Sequence, residues 1–262
     1  MNLILRVMLL VFVGAGFLTV ADAGEAPQPN WNGLYTGVSL GSRTANSHWK
    51  TCQTPLLSGC PNSAFPAYVN ENNASLDSTG VRIAGLLGMN WQLDKWVIGL
   101  ESDVGWGDNQ KTHKGIPGAL LAGRPISDKA EVEQSWDAGF RIRAGYLVSP
   151  SLLAYGTGGV TWLHKDVRAV CSALSSGSNG NWCVVQPGKD SISETPVGWT
   201  LGSGIEWMFA QHWTIRGEYR FAQFADTTGL FFKNAPIDSL RVKSSQSTHT
   251  VNVGVAYLFN LP

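Results

Sequence analysis

Apolar and polar residues alternate with a period of two along most of this chain, and several apolar rows begin and end on an aromatic. Trp96 and Trp106, Trp136 and Tyr146, and Trp199 and Phe209 each stand ten residues apart. Ten is an even step, so in a β-strand both aromatics of a pair point to the same side. At about 3.3 Å per residue and a tilt of about 40°, ten steps rise roughly 25 Å, the height of the apolar band on a membrane-spanning barrel. Rings at both water–lipid boundaries with apolar residues between them describe a strand crossing a bilayer.

The pattern predicts eight such strands, near 31–42, 80–93, 95–107, 134–147, 152–165, 195–209, 213–224 and 247–259. Alternation is clearest near 134–147, where Trp136, Ala138, Phe140, Ile142, Ala144 and Tyr146 oppose Asp137, Gly139, Arg141, Arg143 and Gly145. Five other segments repeat it, and only 152–165 is ambiguous in face. Asp94-Lys95, Ser149-Pro150-Ser151 and Ala210-Gln211-His212 read as tight turns. The segments 43–79, 108–133, 166–194 and 225–246 read as long polar loops. Short turns alternating with long loops, and an even strand count, predict an all-β fold: an eight-stranded antiparallel up-and-down transmembrane barrel.

The second face separates this barrel from a soluble, lipocalin-like one. The apolar rows are tipped with an aromatic girdle: Trp91, Trp96, Trp106, Trp136, Tyr146, Trp199, Trp207, Phe209, Trp213, Tyr257 and Phe259. Such rings belong at membrane interfaces. The opposite rows carry Gly and Arg, which suit a narrow interior that side chains must fill. Arg82, Arg141, Arg143, Arg216 and Arg220 are expected to meet Glu101, Asp103, Asp137, Glu206 and Glu218 there. Buried charges require partners, and the planar Arg fork binds carboxylates in pairs. The network reads as a plug, with a small selective pore as the alternative.

Composition agrees. Only 15% of residues are charged, while Gly (30), Trp (11) and Phe (10) are plentiful, unlike an ordinary soluble domain. Lys plus Arg equals Asp plus Glu at 19 each, which argues against nucleic acid as a partner. Arg6, an apolar run from Val7 to Val20 and Ala21-Asp22-Ala23 read as a secretory signal over 1–23, leaving a barrel domain over 24–262. Secretion permits disulfides, and Cys52 with Cys60 and Cys171 with Cys183 are the favoured pairs among three connectivities. Their spacing does not suit a metal.

No catalytic constellation stands out, so no enzyme, cofactor or metal is expected. Ser247-Thr248-His249-Thr250 lacks an orienting carboxylate. Gly156-Thr157-Gly158-Gly159 lacks the Lys and helix of a phosphate loop. Trp49, Trp182, Phe231 and Phe232 are expected to pack the long loops together, with a host surface or a flat apolar ligand as the alternative use.

Trp31-Asn32-Gly33-Leu34-Tyr35-Thr36-Gly37-Val38 resembles the W-x-G-x-Y-x-G opening of alphaproteobacterial outer-membrane β-barrel proteins, small OmpA-like chains of the porin family. Asn90-Trp91-Gln92 and Val253-Gly254-Val255-Ala256-Tyr257 are also similar. The resemblance spans nearly the whole mature chain. It implies a Gram-negative outer-membrane location, with membrane lipid and the barrel-assembly machinery as partners. It also implies a structural, envelope-integrity or porin-like role. The alternative is a surface receptor or adhesin, including a haem binder, acting through its loops. Such chains end on an aromatic that the assembly machinery reads; here Phe259 is followed by Asn260-Leu261-Pro262.

Overall fold

A computed structural model describes residues 29–53, 73–117, 129–171, 188–233 and 240–259. The expected signal over 1–23, Trp182, Cys60 and Cys183 lie outside the described residues. The proposed disulfides therefore lie outside them too, although the backbones of Cys52 and Cys171 end two of the strands.

Eight long strands form the wall: β1 (Gly33–Gln53), β3 (Ser78–Leu93), β4 (Trp96–Lys114), β5 (Lys129–Ser149), β6 (Leu152–Cys171), β8 (Val197–Ala210), β9 (Trp213–Phe224) and β11 (Leu240–Phe259). Each pairs antiparallel with the next, and β11 pairs with β1 from Leu34↔Phe259 to Gln53↔Arg241, which closes the ring. Closure matters in lipid, where an open edge would leave backbone polar groups without partners. Three short strands sit at the extracellular end: β2 (Asn73–Ser75) on β1, β7 (Gly188–Glu194) on β6 and β10 (Thr227–Phe231) on β11. The turns fall where expected, and Asp94 takes a positive φ of 54°, which Asp tolerates in a two-residue hairpin.

The segments read as long loops are in good part strand. β1 runs eleven residues past 42, and β4, β5, β6 and β11 likewise continue above the bilayer. His48 and His113, expected in loops, lie on β1 and β4. The reason is a reversal of polarity at the girdle on both faces of the wall; on β5 a bulge between Gln134 and Asp137 also shifts which positions face inward. On β5, Phe140 and Ile142 face outward and Arg141 and Arg143 inward; farther up, Lys129, Glu131 and Glu133 face outward and Ala130 and Val132 inward. On β6, Val160 is outside and Thr157 and Thr161 inside, then Asp166 and Arg168 outside and Val167 and Ala169 inside. A row that is apolar outside in lipid must be polar outside in water. β6 was ambiguous because its lipid face is Ala154, Gly156 and Gly158, while Leu153 and Leu163 point inward.

Candidate functional site

The lumen is layered along its axis. The periplasmic floor is apolar: Trp31, Leu86, Val97, Leu147, Leu153, Met208 and Leu258 pack together with Tyr35 and Tyr155. Trp31 is fully buried, and its indole N–H donates to the Pro150 carbonyl at 3.0 Å, which pins the N-terminal segment across the barrel mouth.

The middle layer is charged, and every one of the ten ionic residues expected inside is there and buried. Asp103 accepts from Arg82 at 2.5 Å and from Arg220 at 3.1 Å, and forms an ion pair with Arg141 at 2.9 Å. Arg82 Nε also reaches both oxygens of Asp137, at 2.8 and 2.9 Å. Glu101 accepts from Arg141 at 2.5 Å and from Arg216. Glu206 takes Arg143 and the Thr214 hydroxyl, the latter at 2.6 Å. Six guanidiniums, counting Arg43, face five carboxylates among the described residues, so acids are shared. Each Arg reaches carboxylates on other strands because period-two alternation aims all these side chains at one axis.

Among the inward polar residues without a place in the sequence reading are Arg43, Lys165, Tyr35 and Tyr155. Arg43 donates to Asn109 at 2.9 Å and to the Gln134 carbonyl at 3.0 Å. Lys165 is fully buried above the girdle, donating to Thr227 and Ser244 at 3.0 and 2.9 Å. Burial holds its ammonium below the ordinary lysine range, against the opposing pull of Glu194 and Asp226. Tyr35 donates to Glu101 at 2.8 Å, and Tyr155 to Glu218 at 3.1 Å. Each tyrosine lies over the glycine paired with it on the next strand, Gly88 for Tyr35 and Gly204 for Tyr155; a Cβ at either glycine would collide with the ring. The Arg143 guanidinium sits 3.9 Å from the Tyr155 ring centre. The usable signal was in the β1 row itself: Leu34, Val38 and Leu40 outside imply Tyr35, Ser39 and Arg43 inside.

Above the charges, Ser47, Gln134 and Gln246 form a small polar tier, with Ser47 donating to Gln246 at 2.6 Å. The extracellular roof is apolar again: Trp49, Leu76, Ile116, Ala130, Val132, Val167 and Phe231 among others. Trp49 and Phe231 stack at 5.5 Å, so these aromatics pack the upper barrel together. The girdle residues all face outward, from Trp91 and Trp96 to Phe259. Among the described residues no group of His, Cys, Asp and Glu is arranged to hold a metal.

The chain is similar to known outer-membrane proteins. The family model for the outer membrane protein beta-barrel domain matches residues 10–259. The 31 kDa outer-membrane immunogenic protein of Brucella melitensis biotype 1 is 31% identical over 236 residues, 88% of this chain and 84% of that protein. The 22 kDa outer membrane protein of Rhizobium leguminosarum bv. viciae is 26% identical over 66% of this chain and 63% of its own length. Among solved structures, outer membrane protein OprG from Pseudomonas aeruginosa aligns over 88% of this chain and 99% of its own, at 12% identity and a TM-score of 0.45.

Proposed function

This chain belongs to the outer-membrane β-barrel domain family and resides in the outer membrane, and we propose that within that family it is a structural protein of the envelope with a closed lumen. The observation that carries this reading is the stack of seals along the axis: apolar floor, ion-pair network, apolar roof. An eight-stranded barrel is just wide enough for side chains to fill. Here the charges are consumed by one another, so they do not line a water path. In this reading the partners are the lipid around the apolar band and the barrel-assembly machinery.

A non-enzymatic role has its own support. The His249 ring lies 5.1 Å from that of Phe221, and its Nδ1 faces the Tyr219 hydroxyl at 2.7 Å, on the outer wall. That is girdle packing, turned away from the lumen. A receptor working through loop aromatics is disfavoured because Trp49 and Phe231 are spent in the roof. Reconstitution in a planar bilayer tests the closed lumen. The expected record shows no unitary conductance; reproducible steps of one size would make the protein a porin and overturn the reading.

A further inference from the structure

Above the bilayer the ring is no longer continuous. Among the described residues β7 pairs with β6 alone, β10 with β11 alone and β2 with β1 alone, and β4 beyond Gly107 pairs with β5 alone. The upper wall is therefore two four-stranded sheets, β10-β11-β1-β2 and β4-β5-β6-β7. Their inner faces meet in the apolar roof, with Trp49, Phe231 and Val242 on one side and Val132, Val167 and Ala169 on the other. Within the bilayer the eight long strands pair all the way round. An open edge is excluded in hydrocarbon but not above it.

Particular residues build the break between β7 and β10. The β8–β9 ladder ends at Gly198↔Phe224, and one more bond runs from the Ala225 N–H to the Val197 carbonyl at 2.9 Å. Next on that side comes Pro196, which has no N–H to continue it. Farther up, Ile192 takes the space beside Gly229, where an added Cβ would lie 2.3 Å from Ile192 Cδ1. Apolar packing stands there in place of a ladder. Polar side chains tie the sheets at either end of that contact. Below it, Lys165 on β6 donates to the Thr227 hydroxyl on β10 at 3.0 Å and to the Ser244 hydroxyl on β11 at 2.9 Å, with Glu194 of β7 at 3.8 Å. Above it, Asp190 of β7 accepts from the Phe232 N–H at 2.6 Å. Phe232 has a φ of 55°, a conformation that a bulky residue keeps only where its surroundings hold it. Along the seam runs a cavity of about 10 Å³, in front of Val167, Phe231 and Val242.

A ladder opens only by breaking backbone bonds one after another. This seam opens by releasing a few side-chain bonds. Parts of a protein that move are drawn from such weakly held edges. We propose that the seam between β7 and β10 is a side gate: the two sheets part there and uncover the apolar roof, and Lys165 and Asp190 are the ties that hold it shut. The ion pairs below it, such as Arg82 with Asp103, lie inside the unbroken part of the ring and keep their places. Opening is therefore separate from conduction, and a barrel with a closed lumen accommodates it.

The test uses the full chain folded in lipid nanodiscs, with one reporter cysteine added at a time and maleimide labelling read peptide by peptide by mass spectrometry. Val242→Cys lies behind the seam. Ala45→Cys faces the same interior but is laddered on both sides, opposite Thr248 and Ser78. Val242→Cys is expected to label at least about 10-fold faster, because weakly held edges open more often than ladders. Adding Lys165→Met or Asp190→Ala is expected to speed it a further 3- to 10-fold or about that, one or two hydrogen bonds being lost, and to leave Ala45→Cys unchanged. Asp190→Asn keeps a carbonyl for the Phe232 N–H and is expected to label like the parent. Heat-dependent gel migration confirms that every variant is folded. Labelling of Val242→Cys that neither Lys165→Met nor Asp190→Ala speeds, or an equal rise at Ala45→Cys, would overturn the proposal.

Discussion

The lower and upper halves of this barrel use one backbone and opposite chemistry. Within the bilayer the wall is apolar outside, and the interior is held by Arg–carboxylate pairs such as Arg82 with Asp103 and Asp137. Above it the wall is polar outside, and the interior is held by Trp49, Val132, Val167 and Phe231, as in a soluble protein. β1, β6 and β11 run through both regimes without changing which parity points inward, and on β5 a bulge between Gln134 and Asp137 moves the inward set from odd to even positions. The comparison shows that parity is a property of the ladder, while polarity is a property of the solvent at each height. The crossover therefore marks the membrane boundary more sharply than the aromatics do.

The largest effect should come from the lower half. Asp103→Ala leaves Arg82, Arg141 and Arg220 short of a shared partner, and a broken buried pair costs about 3–5 kcal/mol. Urea titration of folding in phospholipid vesicles measures it, and a loss below about 1 kcal/mol would mean that the network is dispensable. Trp49→Ala empties the roof and should cost about 3 kcal/mol in the upper half alone. Hydrogen exchange should quicken at Ala45–Thr51 and Ala130–Val132 and stay slow at Leu100 and Phe140. Quickening everywhere would show that the halves unfold as one.

A matched pair on β5 tests the boundary itself. Ile142→Arg places a charge in lipid at a cost of roughly 2–4 kcal/mol, whereas Glu131→Arg, on the same face but above the girdle, should stay within about 0.5 kcal/mol. Equal costs would move the boundary. The smallest effect is a pH dependence confined to the upper half. Because the folded chain holds Lys165 below the ordinary lysine value of 10.5, the unfolded chain binds the extra proton between the two values. Stability should therefore be flat below that window and rise with pH across it toward 10.5. Lys165→Met should abolish the rise, as read from alkaline denaturation midpoints.

The same comparison explains what could be read in the sequence. The lower strands were legible because apolar rows of five or more residues end on rings, and the ten charges followed from parity. The upper strands read as loops in the sequence because their apolar members, such as Ala45 and Ala169, are small and occupy the opposite parity to the rows below, and on β5 a bulge between Gln134 and Asp137 interrupts the alternation. Tyr35 and Tyr155 were overlooked because an aromatic beside an apolar row looks like part of the girdle. The roof contact of Trp49 with Phe231 joins residues far apart in sequence and has no local signature.

The tyrosine–glycine–glutamate contact occurs twice, four ring strands apart. Tyr35, Gly88 and Glu101 all precede the turn at Pro150, and Tyr155, Gly204 and Glu218 all follow it. Each half of the polypeptide thus carries its own complete clasp. Between the halves, beside the β5–β6 and β11–β1 ladders, the charged layer is joined by ion pairs: Arg143 to Glu206, Arg216 to Glu101, Arg220 to Asp103. Two four-stranded shells, each latched from within, are riveted together by charge, so a chain severed at Pro150 would still possess both latches and every rivet needed to reunite them.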